Sequence, residues 1–235
     1  MMKYLITCWC FIFSLLSISL SAQTIKMTVD GYSISALDQA VIIWQNQFKQ
    51  QHFPFRMNKE NIYLGNRIGE LVALNRQTGR ELWRKKISQG WVYSPVIYKN
   101  LLITGGQAGV LYGFDSITQK LRWQKDLQQE LVYQPVSNGK VLIATTFDGK
   151  VHAFSIYNGQ LLWTKHFSSA SQFPVFYKNQ VILASYDGTL RFLSLKNGTL
   201  TRQENVHTFL LFSPKINHNR LLLINNDQQQ YTFNL

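Results

Sequence analysis

Cysteine is nearly absent from this 235-residue chain, and its two cysteines, Cys8 and Cys10, both lie within the first 22 residues. If those residues are removed, the remaining chain has no thiol. It could then form no disulfide, no thiolate metal site and no cysteine nucleophile.

Charge is also scarce in the first 22 residues, where Lys3 is the sole charged side chain before an apolar run that ends in Ser21 and Ala22. This pattern is typical of a secretory signal peptide, so we predict a signal peptide over 1–22 and one mature domain over 23–235. An uncleaved membrane anchor is the alternative, although the apolar run is barely long enough to span a bilayer. Lipidation of Cys8 is rejected because too little sequence precedes it.

Acidic residues number 12 against 24 lysines and arginines, which gives a formal net charge of +12. A basic export product would be attracted to anionic surfaces, so an acidic partner protein or weak association with anionic lipid is expected. Nucleic acid is not expected as a partner, because export separates the chain from it and the basic residues are spread along the sequence. The predicted location is the periplasm, with secretion or anchoring by an uncleaved N-terminus as alternatives.

Proline is rare, and its five occurrences fall on a regular lattice with spacings of 41, 40, 39 and 40 residues. Glycines and tryptophans repeat with nearly the same step. The lattice comprises Pro54, Pro95, Pro135, Pro174 and Pro214; Gly69, Gly109, Gly149 and Gly188; and Trp44, Trp83, Trp123 and Trp163. Arg202 stands where the next tryptophan would fall, and Gln119 replaces one glycine of a second turn series. Such a period indicates a repeat architecture.

Each repeat contains four short strand patterns separated by turn residues, as in Leu101–Thr104 and 110–114 of the second full unit. Continuous apolar runs such as 141–144 suit strands covered on both faces. No segment shows a sustained helical period. The sequence therefore predicts an all-β chain, a β-propeller of four-stranded antiparallel blades.

The repeated residues have structural explanations. The glycines suit turn positions with positive φ, and the tryptophan indoles are predicted to cross to the next blade and donate their N–H to a backbone carbonyl. The prolines are interpreted as bends in the inner strand that need no ladder donor. A ring of ligand-lining prolines is the functional alternative.

The segments 71–83 and 148–163 carry the motif Ala-hydrophobic-Asp/Asn/Ser, Thr/Asn-Gly turn, then Trp. This motif resembles the PQQ-like propeller repeat, and the resemblance covers roughly residues 30–235. It implies a propeller fold, and two branches of the family imply different functions. The quinoprotein dehydrogenases bind pyrroloquinoline quinone and calcium, whereas the scaffold branch is typified by the propeller lipoprotein of the outer-membrane β-barrel assembly machinery (BamB-like) and binds no cofactor. The chain lacks the adjacent cysteine pair of many dehydrogenases.

The number of blades is predicted to be about five. Four full units and a three-strand fifth unit can be counted, and the N-terminal strand 40–48 with Trp44 is expected to complete the last blade and close the ring. The competing interpretation is an open arc from a larger eight-bladed ancestor, which would dimerise or aggregate. The strand pattern at 30–37 cannot be placed.

No enzyme motif, metal-ligand spacing or paired acid–base set is found, so no catalytic residue, cofactor or metal is predicted. The candidate interaction surface combines the residues two positions before each proline with one loop tryptophan. These residues are His52, Trp91, Tyr93, Tyr133, Gln172 and Phe212. An aromatic-rich ring of this kind can bind a peptide edge or a small ligand, and simple plugging of a narrow channel is the competing interpretation.

The predicted function is a non-enzymatic periplasmic scaffold for protein–protein interaction, in outer-membrane protein assembly. Its expected partners are envelope proteins, including β-barrel assembly components. A quinoprotein-type dehydrogenase relative and an envelope ligand-binding module are the alternatives.

Overall fold

The computed structural model describes residues 23–27, 33–38, 41–206, 214–224 and 229–235. These residues form 22 strands in six antiparallel sheets. The first three sheets comprise β1 (Gln23–Met27), β2 (Ser33–Asp38) and β3 (Val41–Gln47); β4 (Arg56–Met57), β5 (Asn61–Gly65), β6 (Glu70–Asn75) and β7 (Glu81–Lys86); and β8 (Val96–Tyr98), β9 (Leu101–Thr104), β10 (Val110–Asp115) and β11 (Leu121–Asp126).

The last three sheets repeat the same plan. They comprise β12 (Val136–Ser137), β13 (Val141–Thr145), β14 (Lys150–Ser155) and β15 (Leu161–His166); β16 (Ser171–Tyr177), β17 (Gln180–Ser185), β18 (Thr189–Ser194) and β19 (Leu200–Asn205); and β20 (Lys215–Asn217), β21 (Arg220–Ile224) and β22 (Gln230–Asn234). Within every sheet, strands that are consecutive in sequence are hydrogen-bonded neighbours. The predicted meander of four-stranded antiparallel blades is confirmed in the four central sheets, and the first and sixth sheets have three described strands each.

Five hydrophobic clusters join the six sheets in chain order, one between each consecutive pair. Buried residues that face each other across these interfaces are Ile34 and Leu64, Tyr63 and Leu102, Leu111 and Leu142, Ile143 and Leu183, and Phe192 and Leu221. Strand β9 shows why continuous apolar runs occur: all four of its residues are buried, with Leu102 in the cluster shared with the second sheet and Ile103 in the cluster shared with the fourth. A central strand of this kind has no solvent face.

The N-terminal strand does not complete the last sheet, and this part of the prediction is wrong. Strand β3 pairs with β2 from Ser33↔Gln47 to Asp38↔Val41, and β2 pairs with β1. Trp44 packs with the buried cluster between the first and second sheets. Because β3 pairs with β2 and Trp44 packs between the first two sheets, β3 belongs to a separate first sheet. The described chain therefore has six sheets instead of about five.

No hydrophobic cluster among the described residues joins the sixth sheet to the first. The described residues thus contain six sheets and five interfaces between consecutive sheets. The strand pattern that could not be placed corresponds in part to β2.

Two of the repeat tryptophans donate a hydrogen bond to the sheet that follows, whereas the buried Nε1 of Trp123 has no partner among the described residues. The Trp44 indole donates to the Arg76 carbonyl at 3.2 Å, and Trp163 donates to the Leu195 carbonyl at 2.9 Å, each 32 residues further along the chain. A tryptophan ring packs against the turn glycine of the next sheet, so a side chain at that position is excluded by lack of space as well as by the positive φ. A Cβ on Gly198, whose φ is +70°, would lie 2.6 Å from the ring of Trp163. The predicted cross-sheet hydrogen bond is thus confirmed at these two tryptophans.

The prolines lie where the structural interpretation places them. Pro95 and Pro135 immediately precede the inner strands β8 and β12, and Pro174 lies at the register shift within β16. At these positions the missing N–H interrupts no regular ladder.

Candidate interaction site

The residues predicted to form an interaction surface lie mainly in the segments that lead from the outer strand of one sheet to the inner strand of the next. Backbone hydrogen bonds fix one such segment: Val92 N–H donates to the Asn66 carbonyl at 3.0 Å and Tyr93 N–H to the Gly105 carbonyl at 2.9 Å. Buried Ser94 accepts from Gly65 N–H at 2.9 Å and donates to the Phe53 carbonyl at 3.3 Å. The connection is therefore held to two sheets at once.

Three of the predicted residues, Trp91, Tyr93 and Tyr133, form one aromatic cluster. The rings of Tyr93 and Tyr133 have centroids 6.0 Å apart, and Trp91 lies close enough to Tyr93 to lower the pKa of its phenol. All three side chains are half-buried, so each keeps an accessible edge. Rigid aromatic side chains of this kind supply large contact area at small entropic cost, as interface anchors do.

The phenols of the cluster remain neutral at physiological pH. Burial raises the pKa of Tyr93 to about 12, against a smaller lowering by the hydrogen bond with Trp91. The Tyr93 hydroxyl also donates to the Val132 carbonyl at 3.2 Å. Burial likewise raises the pKa of Tyr133, opposed by the charge of Arg56. The cluster thus offers aromatic faces and neutral hydroxyls, with no acid–base group near neutral pH.

His52 does not join this cluster. Its side chain is only 4% exposed, it packs against Phe48 with ring centroids 4.2 Å apart, and its Nδ1 lies 2.8 Å from the Gln50 carbonyl. Burial lowers the pKa of His52 to about 4, which keeps the imidazole neutral. Its prediction as an interaction residue is not supported by the geometry, because a buried side chain has no surface to offer.

The other two predicted residues cannot be compared with the cluster. Phe212 lies outside the described residues, and the backbone of Gln172 lies in β16 while its side chain is not described.

Two residues missed at the sequence level extend the cluster. Phe53, adjacent to His52, packs on Tyr93 with ring centroids 4.8 Å apart. Arg56 in β4 is close enough to Tyr133 for the charge to affect the phenol. The repeat gave no distinct signal for Arg56, because the corresponding inner-strand position holds valine in the third, fourth and fifth sheets but Lys215 in the sixth.

Two concavities of the described chain lie away from this cluster. One, of about 600 Å³, lies on the outward face of the sixth sheet among Asn217, Arg220, Leu222, Gln230, Thr232 and Asn234. The other, of about 290 Å³, lies beside β3 and is lined in part by Phe48, Leu74 and Arg84. Neither concavity is lined by a residue of the aromatic cluster. The cluster therefore resembles a protein-contact surface more than a pocket that encloses a small ligand.

Within the described ranges, no three His, Cys, Asp or Glu side chains come together in a way that could hold a metal ion. The same ranges hold no helix with the length and apolarity needed to span a bilayer.

Six stacked antiparallel sheets on a 40-residue repeat define the chain as a β-propeller protein of the PQQ-like repeat class. The family model described as outer membrane protein assembly factor BamB matches residues 30–131 and 67–209, and the chain belongs to this family.

Solved structures agree with the fold. The chain is similar to BamB from Moraxella catarrhalis, with a TM-score of 0.73 and 19% sequence identity over 91% of this chain and 70% of that one. It is also similar to the computationally designed Ika8 protein, with a TM-score of 0.81 and 19% identity over 91% of this chain and 68% of that one. Comparison with curated proteins gave no match. At this level of identity the two structures support the architecture alone.

Proposed function

We propose that this protein is a non-enzymatic scaffold of the bacterial periplasm that docks partner proteins during outer-membrane protein assembly. The observation that carries the proposal is the aromatic cluster of Trp91, Tyr93 and Tyr133, half-buried and held by backbone hydrogen bonds between sheets. The family description supplies the process, and the chemistry of the cluster supplies the mode, which is contact with another protein.

We propose that the protein holds its aromatic side chains in fixed positions and presents them to the partner protein. Five apolar interfaces hold the sheets in order, so the connecting segments stay fixed relative to each other. A partner that meets pre-ordered aromatic side chains loses less conformational entropy on binding. The Tyr93 hydroxyl, whose proton goes to the Val132 carbonyl, can still accept a hydrogen bond from a partner's backbone N–H without a change in protonation.

The test is recovery of the tagged full-length protein from the envelope of its own bacterium under native conditions, followed by mass spectrometry. We expect β-barrel assembly components to co-purify with the wild type and to be lost with the double variant Trp91→Ala/Tyr133→Ala. Tyr157→Ala is the matched control, because Tyr157 is 57% exposed and is not part of the cluster. If the wild type recovers no such component, the scaffold proposal fails.

Export and the absence of enzymatic chemistry are tested separately. The exported protein should be found in the periplasmic fraction with the mass of a chain that begins after Ser21 or Ala22. Purified protein mixed with pyrroloquinoline quinone and calcium should retain no quinone on mass spectrometry. Stoichiometric retention would favour the dehydrogenase alternative.

A further inference from the structure

Half of the turns in the second to fifth sheets come together at one end of the molecule. In each of these sheets the turn between the first and second strands is hydrogen-bonded to the turn between the third and fourth, as where Ser116 N–H donates to the Asn100 carbonyl at 2.8 Å. Contacts between sheets align these turns, since the rings of Tyr98 and Tyr157 meet with centroids 5.5 Å apart. We call this end the turn face, and its turns are 58–60, 76–80, 99–100, 116–120, 138–140, 156–160, 178–179 and 195–199.

The turn face is strongly basic, whereas the opposite end of the same sheets is not. Its turns contain one carboxylate, Glu60, and eight basic residues, which are Lys59, Arg76, Arg80, Lys99, Lys120, Lys140, Lys178 and Lys196. The opposite end consists of the connections and turns 48–55, 66–69, 87–95, 105–109, 127–135, 146–149, 167–170 and 186–188. These contain two basic residues, Lys49 and Arg67, and three carboxylates, Glu130, Asp148 and Asp187. The excess of positive charge is therefore concentrated at one end, and the aromatic cluster lies at the other.

The charges of the turn face are not neutralised within the described part of the chain. Apart from Arg76, which is buried, all of its basic residues are exposed, and none of them forms an ion pair with a described carboxylate. Arg84, on an outer strand, shows the contrast, since it pairs with both Glu70 and Glu81 at 2.7 Å. Unpaired charges of one sign on neighbouring turns create a positive potential that attracts anions.

Two of these lysines occupy backbone positions that do not favour lysine. Lys99 and Lys178 have φ of +50° and +49°, a left-handed conformation that is unfavourable for a residue with a Cβ. Each extends its ammonium over the ring of the preceding tyrosine, at 5.5 Å from Tyr98 and 4.7 Å from Tyr177. Backbone strain at an exposed turn supports a role for the side chain outside the fold.

Apolar side chains project from the same face. Ile117 is 70% exposed and Tyr157 is 57% exposed, the two highest values among the large hydrophobic residues that the structure describes. They hold equivalent positions in the turns of the third and fourth sheets, and Tyr157 contacts Tyr98, over which Lys99 lies. Apolar and aromatic side chains interspersed with lysines are the composition that enters the headgroup region of a bilayer.

We propose that the turn face binds the surface of a bilayer that contains anionic phospholipid, with its lysines against the phosphate-bearing headgroups and Ile117 and Tyr157 inserted among them. The basic residues are distributed over four successive sheets instead of converging on one point, which matches an extended anionic surface. Strands of six residues separate the two ends by roughly 20 Å. A chain bound in this way presents its aromatic cluster away from the bilayer, where a partner protein can reach it.

The test is co-sedimentation of the mature chain, residues 23–235, with two kinds of lipid vesicle. One kind is phosphatidylcholine alone, and the other is phosphatidylcholine and phosphatidylglycerol in equal parts. We expect binding to the phosphatidylglycerol vesicles to be about tenfold or more tighter, because each lysine near an anionic surface adds to the attraction. The binding should weaken as salt is raised. Equal binding to the two kinds of vesicle, or binding to neither, would overturn the proposal.

Variants then assign the binding to one end of the molecule. Lys99→Gln/Lys140→Gln should weaken binding to phosphatidylglycerol vesicles by about tenfold or more. The matched control is Lys49→Gln/Arg67→Gln, which removes two exposed cations from the opposite end. It should weaken binding by less than about twofold, because charges roughly 20 Å from the bilayer are screened at physiological salt. Equal weakening by the two pairs would show that net charge, and not the turn face, is responsible.

A third pair tests the apolar contribution without any change of charge. Ile117→Ala/Tyr157→Ala should weaken binding to the phosphatidylglycerol vesicles by about fivefold or more, since both side chains lose the apolar area that enters the headgroup region. All six altered residues are exposed, so the fold should be retained, and urea unfolding verifies this. Unchanged binding of a folded Ile117→Ala/Tyr157→Ala variant would contradict the proposed insertion.

The outcome separates this inference from the scaffold proposal, because the two surfaces lie at opposite ends. Trp91→Ala/Tyr133→Ala should retain vesicle binding while it loses the assembly components. Wild type that recovers assembly components yet ignores phosphatidylglycerol leaves the scaffold standing and removes the membrane surface. Vesicle binding without recovery of assembly components leaves a membrane-binding protein with a different role. Inorganic phosphate should release the chain from the vesicles no better than sodium chloride of equal ionic strength, and stronger release would indicate a phosphate site instead of a bilayer surface.

Discussion

The interface between the fourth and fifth sheets and the interface between the fifth and sixth use different side chains for the same contact. In the former, Trp163 donates to the Leu195 carbonyl at 2.9 Å; in the latter, Arg202 donates to the Asn234 carbonyl at 2.8 Å. Both bonds span 32 residues. The fifth sheet therefore keeps a donor to the next sheet although it has lost the indole.

The two interfaces differ in how much apolar surface the fastening residue buries. Trp163 is 7% exposed, whereas the side chain of Arg202 is 40% exposed and also pairs with Glu204. The guanidinium of Arg202 lies 4.9 Å over the ring of Phe192, its cross-strand neighbour, so this cation–π interaction stays within the fifth sheet. The difference indicates that the hydrogen bond fixes the position of the next sheet, while the indole supplies most of the stabilisation.

The largest expected effect is that of Trp163→Ala. Removal of a buried indole leaves a cavity against Gly198, and we expect a loss of roughly 3–5 kcal/mol in the free energy of unfolding, measured with urea. Leu162→Ala is the matched control, because Leu162 is adjacent but 47% exposed and should lose about 1 kcal/mol or less. Equal losses in the two variants would mean that the indole is not the source of the stability.

The second-largest effect tests whether Gly198 and the indole of Trp163 are in direct contact. Gly198→Ala places a Cβ 2.6 Å from Trp163 at a residue with φ of +70°, and we expect a loss of about 2–3 kcal/mol from strain and overpacking together. In the Trp163→Ala background only the backbone strain should remain, at about 1 kcal/mol. The checking measurement is a double-mutant cycle by urea unfolding, and strictly additive losses would contradict the predicted contact.

A smaller effect is expected for Arg202→Ala. The variant loses one charge-assisted hydrogen bond and one cation–π contact at a partly exposed site, so we expect a loss of about 1 kcal/mol that decreases at high salt. Arg122→Ala is the control, because Arg122 is paired with Asp115 of its own sheet and should change stability by less than about 0.5 kcal/mol. A loss for Arg202→Ala as large as that for Trp163→Ala would overturn the distinction between the two interfaces.

Most of the fold could be predicted from the sequence because the repeat marks positions with strong local requirements. Gly198 and the other turn glycines adopt the positive φ that was expected, and even Gln119, which replaces a glycine, has a φ of +58°. Proline and tryptophan mark the inner and outer strands in the same way. The first sheet was missed because β1 and β2 contain none of these marker residues, so nothing local connected them to the strand that carries Trp44.

The candidate site was predictable only in part, because its composition depends on contacts between sheets. Tyr93 and Tyr133 share a repeat position, and this was sufficient to predict that they lie together. His52 shares that position too, yet it is buried against Phe48, which sequence spacing alone could not indicate. Arg56 could not be singled out from the repeat, because Lys215 occupies the equivalent position of the sixth sheet.

The smallest expected effect is a pH dependence of the free energy of unfolding, which comes from an ion pair at the interface between the fourth and fifth sheets. Arg191 of the fifth sheet pairs with Asp187 at 2.7 Å and lies over the ring of Phe167 at 4.9 Å. Since Phe167 packs between the fourth and fifth sheets, the interface between these sheets contains a nearly buried cation. Partial burial by itself raises the pKa of Asp187, but hydrogen bonds from Arg191 and Thr189 lower it more, and the net pKa lies below its ordinary value of 3.8.

A carboxyl whose pKa is lower in the folded state stabilises the fold above the unfolded pKa and loses that contribution as pH falls through the folded pKa. The stability difference between wild type and Asp187→Asn, from urea unfolding, should therefore be full at pH 6 and shrink steadily below about pH 4. Arg191→Met supplies the control, since in that background the pH-dependent part of the Asp187→Asn effect should shrink to the share that Thr189 contributes. A difference between wild type and Asp187→Asn that stays constant down to the lowest pH would show that the ion pair contributes nothing to this interface.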